Sequence, residues 1–149
     1  FRLCYSGLCL EVKVRCINKM SSTDETIGEL LQNDDGGPVC MVNLLKFKEK
    51  AIYEDGRETS LTGPEAYQIY GEGVAKMIDT IGGKIVFSSV VSGLVVGEVE
   101  ELWDAVAIAE YPSRQSFADM IASVQWSELA IHRTAGLAGQ LNISSKRLI

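Results

Sequence analysis

Two stretches of this sequence, Val39–Phe47 and Leu102–Tyr111, are apolar on both faces when read with the two-residue period of a β-strand. In the first, Val39, Met41, Leu45 and Phe47 fall on one side, and Cys40, Val42 and Leu44 on the other. In the second, Leu102, Val106 and Ile108 oppose Trp103, Ala105, Ala107 and Tyr111. An antiparallel sheet with one wet face alternates apolar and polar residues, so these strands need cover on both sides.

The rest of the sequence supplies cover for one side only. Ser22 and Glu25 have capping-box spacing ahead of Ile27, Leu30 and Leu31, which predicts a short helix stopped at Asn33–Gly37. Thr62 and Glu65 repeat that spacing, with Pro64 in the first turn, and predict a helix to about Ile81. Its apolar stripe is Tyr67, Tyr70, Val74, Met77, Ile78 and Ile81, and Gly82-Gly83 ends it. Gly71 and Gly73 lie inside it, where close packing of another backbone would explain them. Lys84–Val96 reads as a strand, joined to Leu102–Tyr111 through Gly97 and Glu98–Glu101. Ser113 is placed to cap a helix carrying Phe117, Met120, Ile121 and Val124, and Ser127–Thr134 adds further helical turns. Gly136 ends these, and Leu137–Ser144 is a last strand. The order strand, helix, strand, strand, helix, strand is the ferredoxin-like split βαβ arrangement of an α+β domain. Two helices cover one sheet face. The bare face would be an apolar patch of the size monomers avoid, so a homodimer is expected.

Composition narrows the function classes. The 149 residues fit one domain, with 46% hydrophobic and 23% charged residues. The net charge of -6 argues against nucleic acid as a partner. Lys46, Lys48 and Lys50, with Glu49 among them, read as a solvated strand end. No apolar run approaches the ~20 residues of a membrane helix. Lys48–Leu61 is a long polar connection, either a surface loop or a lid over a pocket. Residues 1–19 read as an N-terminal extension or tag-like segment ahead of a 20–149 domain, with Leu10–Cys16 alternating like a strand. Cys4, Cys9 and Cys16 lie in that segment, and Cys40 reads as a buried thiol. There is no C-x-x-C pair and a single histidine, so no zinc site and no oxidising compartment is implied, and a cytoplasmic setting is expected.

The segments Pro38–Phe47, Tyr67–Gly71, Gly82-Gly83, Trp103–Val106, Glu110–Arg114 and His132–Leu137, in this order, resemble the family called domain of unknown function 1330, in its longer bacterial subtype. The resemblance spans about Pro38 to Ser144 and implies membership of the dimeric α/β-barrel superfamily. Relatives by fold include cofactor-free monooxygenases, lactone isomerases, polyketide cyclases and haem enzymes, so the resemblance implies a cleft between sheet and helices and no particular reaction.

Candidate site residues are polar groups set in apolar elements. His132 is a candidate general acid or base, with a structural histidine as the alternative. Asp104 is a candidate base, or a carboxylate locking the fold through Arg114 or Arg133. Asn43, Tyr67, Tyr70, Arg114, Arg133 and Trp126 are candidates for holding a substrate, with packing, capping and surface roles as their alternatives. No nucleophile motif and no paired-carboxylate signature is present. The expectation is a homodimeric, cofactor-free enzyme acting on a small hydrophobic or aromatic acid. A non-catalytic small-molecule-binding dimer, a haem-handling protein with His132 as axial ligand, and a purely structural dimer are the alternatives.

Overall fold

In the computed structural model, strands alternate with helices in the expected order. Residues 16–149 are described, and ahead of them two short paired strands, β1 (Cys4–Tyr5) and β2 (Leu8–Cys9). The strand expected over Leu10–Cys16 lies outside the described residues apart from Cys16, which is exposed. There follow α1 (Asp24–Gln32), β3 (Val39–Phe47), α2 (Gly63–Thr80), β4 (Lys84–Val90), β5 (Ala105–Tyr111), α3 (Arg114–Ile121), α4 (Val124–Gly136) and β6 (Leu137–Ser145). The last four strands form an antiparallel sheet in the order β4-β5-β3-β6, which is the ferredoxin-like topology. No helix among the described residues is long and apolar enough to cross a membrane.

The two strands with apolar faces on both sides are the central pair. Their register sets Val39 against Tyr111, Met41 against Ala109, Asn43 against Ala107 and Leu45 against Ala105. On that side Val39, Met41, Ala109 and Tyr111 pack with Val74 and Ile78 of α2 and Phe117 and Met120 of α3. Ile27 and Leu30 of α1 close over the same cluster. The opposite side carries Val42, Leu44, Val106 and Ile108, flanked by Phe87 of β4 and by Leu141 and Ile143 of β6. No helix residue joins these in a core cluster, and Phe87 and Ile143 are 51% and 48% exposed.

Four expectations are corrected. The α1 cap is Thr23, boxed by Thr26 rather than by Ser22 and Glu25. β4 ends at Val90 instead of Val96, because beyond Val91, whose amide donates to the Asp104 carbonyl at 2.9 Å, the chain leaves the sheet and exposes Val95 and Val96. β5 begins at Ala105 rather than Leu102, because Asp104 turns its carboxylate onto the Phe47 amide at 2.8 Å. The helical turns expected at Ser127–Thr134 belong to a 13-residue helix capped by Ser123, whose side chain accepts from the Trp126 amide at 3.2 Å.

Residues just before Met20 are bonded to the domain. Lys19 pairs with Gln140 through two backbone hydrogen bonds of 3.0 Å, and Asn18 Oδ1 accepts from Trp103 Nε1 at 2.8 Å.

α2 and α4 cross with backbone against backbone. A Cβ on Gly63 would stand 1.9 Å from the Lys48 carbonyl oxygen, and one on Gly136 would stand 2.3 Å from that of Gly63. Gly73 makes room for Leu129, whereas Gly71 has nothing within 4 Å of the place a Cβ would take. Gly63→Ala and Gly136→Ala therefore force backbone apart and lower the melting temperature by on the order of 5–10 °C. Gly71→Ala leaves it unchanged or raises it, because alanine favours helix by ~1 kcal/mol. Thermal denaturation of the three variants checks the contrast in sign.

Candidate functional site

The polar connection between β3 and α2 is an anchored loop. Its ends are drawn together by the Lys50–Thr62 bridge and by the Ala51 amide donating to the Leu61 carbonyl at 3.0 Å. The last carbonyls of a helix have no partner within it. Here the loop supplies them: Lys48 N donates to Gly136 O at 2.8 Å, Ile52 N to Ala135 O at 3.0 Å, and Lys48 Nζ to Thr134 O at 3.0 Å. Ala51 and Tyr53 then pack against Ala66 and Ala135 in a small second core. Residues 50–53 and 56–60 line an open cavity of about 780 Å³ within the loop.

His132 belongs to this loop assembly. Its Nδ1 lies 2.7 Å from the Tyr53 hydroxyl, and the two rings meet edge to face. Arg57, paired with Asp55, lies over the Tyr53 ring, 4.7 Å from its centre. Burial, and then the positive charge of Arg57, push the His132 pKa below its usual 6.5. The imidazole is therefore neutral at neutral pH.

Arg133, the next residue, points elsewhere. Successive helix positions are turned about 100° apart, so neighbours on α4 serve different surroundings. Arg133 is the one buried charged residue of the described chain, 7% exposed. It donates to the Met20 carbonyl, and its guanidinium lies 6.0 Å from the centre of the Trp126 ring. Among the described residues no carboxylate comes within salt-bridge distance of it.

Aromatic side chains surround that cation. Trp126 Nε1 donates to the Tyr70 hydroxyl at 3.3 Å. Tyr70 and Tyr67 pack at 5.4 Å between ring centres, and Tyr67 continues to Phe47 at 5.4 Å. Tyr111 is near enough for the phenols of Tyr67 and Tyr70 to disfavour its ionisation. Desolvation raises the pKa of Tyr67, Tyr70 and Tyr111, and all three are neutral phenols across the physiological range. The hydroxyls of Tyr67 and Tyr111 bond to no described residue, yet no described buried side-chain oxygen or nitrogen lacks a partner. These hydroxyls therefore keep some access to solvent. At the sheet centre, on the same helix side, Asn43 and Ala107 also keep solvent access. Asn43 donates its amide to the Met41 and Ala107 carbonyls, at 3.2 and 3.3 Å, which leaves Oδ1 available.

The candidates thus divide into separate groups. Tyr67, Tyr70, Trp126 and Arg133 come together, with Asn43 on the same side of the sheet. His132 sits with Tyr53 in the loop assembly. Asp104 binds Lys46 Nζ at 3.2 Å and the Phe47 amide, which replaces the expected lock through Arg114 or Arg133. Arg114 pairs with Asp35 at 3.6 Å, and Lys146 also binds Asp35. These two cations and the Gly37 amide hold the Asp35 pKa down to about 2. Sequence reasoning missed Tyr53 and Tyr111. The signal for Tyr53 was an aromatic flanked by Ala51 and Ile52 inside a polar loop. No group of three or more His, Cys, Asp or Glu gathers among the described residues.

Neither a family model nor a curated protein matches the chain. Among solved structures, the methylated RPA0582 protein is 36% identical with a TM-score of 0.80, over 89% of this chain and 96% of that one. RPA0582 from Rhodopseudomonas palustris, a protein of unknown function, matches a second time at 33% identity and a TM-score of 0.79, over 89% and 99%. A dimeric ferredoxin-like protein of unknown function from Bacteroides fragilis is 12% identical with a TM-score of 0.47, over 74% and 97%.

The His132 shift makes stability depend on pH. A folded pKa below the unfolded value means that the unfolded chain takes up the proton first. The stabilisation is complete above about pH 6.5 and is lost as pH falls from there through the folded pKa. The wild type is expected to lose more stability than His132→Gln between neutral and mildly acid pH. Denaturant titrations of both proteins across that range check it; parallel curves would refute it.

Proposed function

The chain belongs to the family of the Rhodopseudomonas palustris RPA0582 protein, and we propose that it is a homodimer binding a small organic acid between its sheet and its helices. One observation carries the reading: Arg133 is buried and has no carboxylate partner among the described residues. Removing a guanidinium from water costs several kcal/mol unless charge and hydrogen bonds are returned to it. A single backbone carbonyl and the face of an indole 6.0 Å away return only part of it. A ligand carboxylate returns both, in the bidentate geometry that arginine favours.

The surroundings define the rest of the ligand. Tyr67, Tyr70 and Trp126 offer apolar ring faces, which suit an aromatic or flat hydrophobic body. The neutral phenols of Tyr67 and Tyr111 donate or accept hydrogen bonds without adding charge, and Asn43 Oδ1 accepts. Binding, rather than turnover through His132, is the function this geometry favours. His132 and Asp104 are each engaged in their own contacts, with Tyr53 and with Lys46.

The uncovered face of β3 and β5 supports the dimer, because a second copy would cover its apolar residues. We further assign the family to the domain of unknown function 1330, on the order of its motifs, and the free thiol of Cys40 suits a reducing, cytoplasmic setting.

Calorimetric titration with paired ligands tests the site. Aromatic carboxylates are expected to bind, and their primary amides to bind at least about tenfold more weakly, the worth of a charge-assisted hydrogen bond. Arg133→Gln removes that preference, with its folding verified by circular dichroism. Equal affinity for acid and amide, or an unchanged preference in the variant, contradicts the reading.

A further inference from the structure

Helix cover of the sheet is interrupted at its centre. Along β3, Met41 and Leu45 are 3% and 2% exposed, yet Asn43, between them on the same face, is only half-buried. Residues directly opposite on paired strands share a face, so Ala107 of β5, Asn43 and Asn142 of β6 form one row across the sheet. Ala107 is also half-buried, and Asn142 is exposed on an edge strand. The row thus carries small or polar side chains from the middle of the sheet to its rim. Asparagine is disfavoured inside strands, and among apolar neighbours its amide is costly unless hydrogen-bonded.

Hydrogen bonds fix how that amide points. Asn43 Nδ2 carries two protons and donates to the Met41 carbonyl at 3.2 Å and to the Ala107 carbonyl at 3.3 Å. Turned over, the amide would set Oδ1 against those two carbonyl oxygens. Oδ1 is therefore held as an acceptor, and no described residue donates to it. The other polar groups on this side of the sheet differ in kind. The Arg133 guanidinium and the Trp126 indole only donate, and the phenols of Tyr67 and Tyr111 turn to donate or accept.

Resting on the ligand site proposed above, we infer that Asn43 Oδ1 receives a hydrogen-bond donor on the ligand body. The ligand class is then an aromatic acid that carries a hydroxyl or amino group as well as its carboxylate. Arg133 reads the acid and Asn43 reads the donor. A second carboxylate or a carbonyl placed at Asn43 would meet an acceptor that cannot turn away. A site built to bond a hydroxyl or an N–H discriminates against the analogue lacking it, because its own polar group is left unpaired.

Calorimetric titration tests this with benzoates and phenylacetates that bear a hydroxyl, an amino group or a methyl at each ring position. Methyl has nearly the size of the other two and no donor. At one ring position the hydroxyl and amino acids are expected to bind at least about tenfold more tightly than the methyl acid, the worth of one hydrogen bond in a partly enclosed site. Asn43→Leu and Asn43→Ala abolish that preference and keep the preference for acid over amide. Arg133→Gln does the reverse. Methyl acids that bind as well as hydroxyl and amino acids at every position overturn the role of Asn43 and leave the acid site standing. A donor preference that survives in a folded Asn43 variant also overturns it. Loss of the acid-over-amide preference in the wild type overturns the site itself.

Discussion

The central strands β3 and β5 need cover on two faces, and most of the architecture answers that need. On one face the answer lies within the chain. Met41, Ala109 and Tyr111 meet Val74 and Ile78 from α2, and Phe117 and Met120 from α3. On the other face, among the described residues, Val42, Leu44, Val106 and Ile108 pair within their own sheet and join no core cluster with a helix. Burial of apolar surface is worth roughly 25 cal/mol per Å², so a sheet face left in water forfeits stabilisation comparable to a substantial part of a domain's net stability. The proposed homodimer recovers it and keeps the proposed ligand site on the helix side.

The helix side is shaped by small residues. Ala105, Ala107 and Ala109 line β5 where larger side chains would fill the space beneath α2 and α4. Gly63 and Gly136 let those helices meet at their ends, and the loop beginning at Lys48 satisfies the final carbonyls of α4. Fixing that helix end fixes Arg133 and His132 together. One is turned into the sheet–helix interior among Tyr67, Tyr70 and Trp126, and the other outward onto Tyr53. Local capping thereby determines which side chain reaches which environment.

Much of this was legible in the residues themselves. The span of β3, the capping box of α2 and the Ser113 cap depend on local hydrogen bonding and periodicity, and the structure has them where the sequence places them. The topology and the two-faced strands were readable for the same reason. What failed depended on contacts far apart in sequence. β4 stops early although 91–96 has strand-forming valines, because no neighbouring strand continues beside them. Asp104 takes Lys46 instead of an arginine, because strand register brings those ends together. His132 and Arg133 are adjacent in sequence, yet the helix turns them to different surroundings. Tyr53 gained its place only when the loop folded onto α4.

Native mass spectrometry of the purified protein, with an aromatic carboxylate and its amide offered in competition, tests the central claim directly. The account predicts a dimer that takes up the acid, one molecule per chain, and leaves the amide in solution. A monomer, or a dimer that takes up neither or both alike, would contradict it.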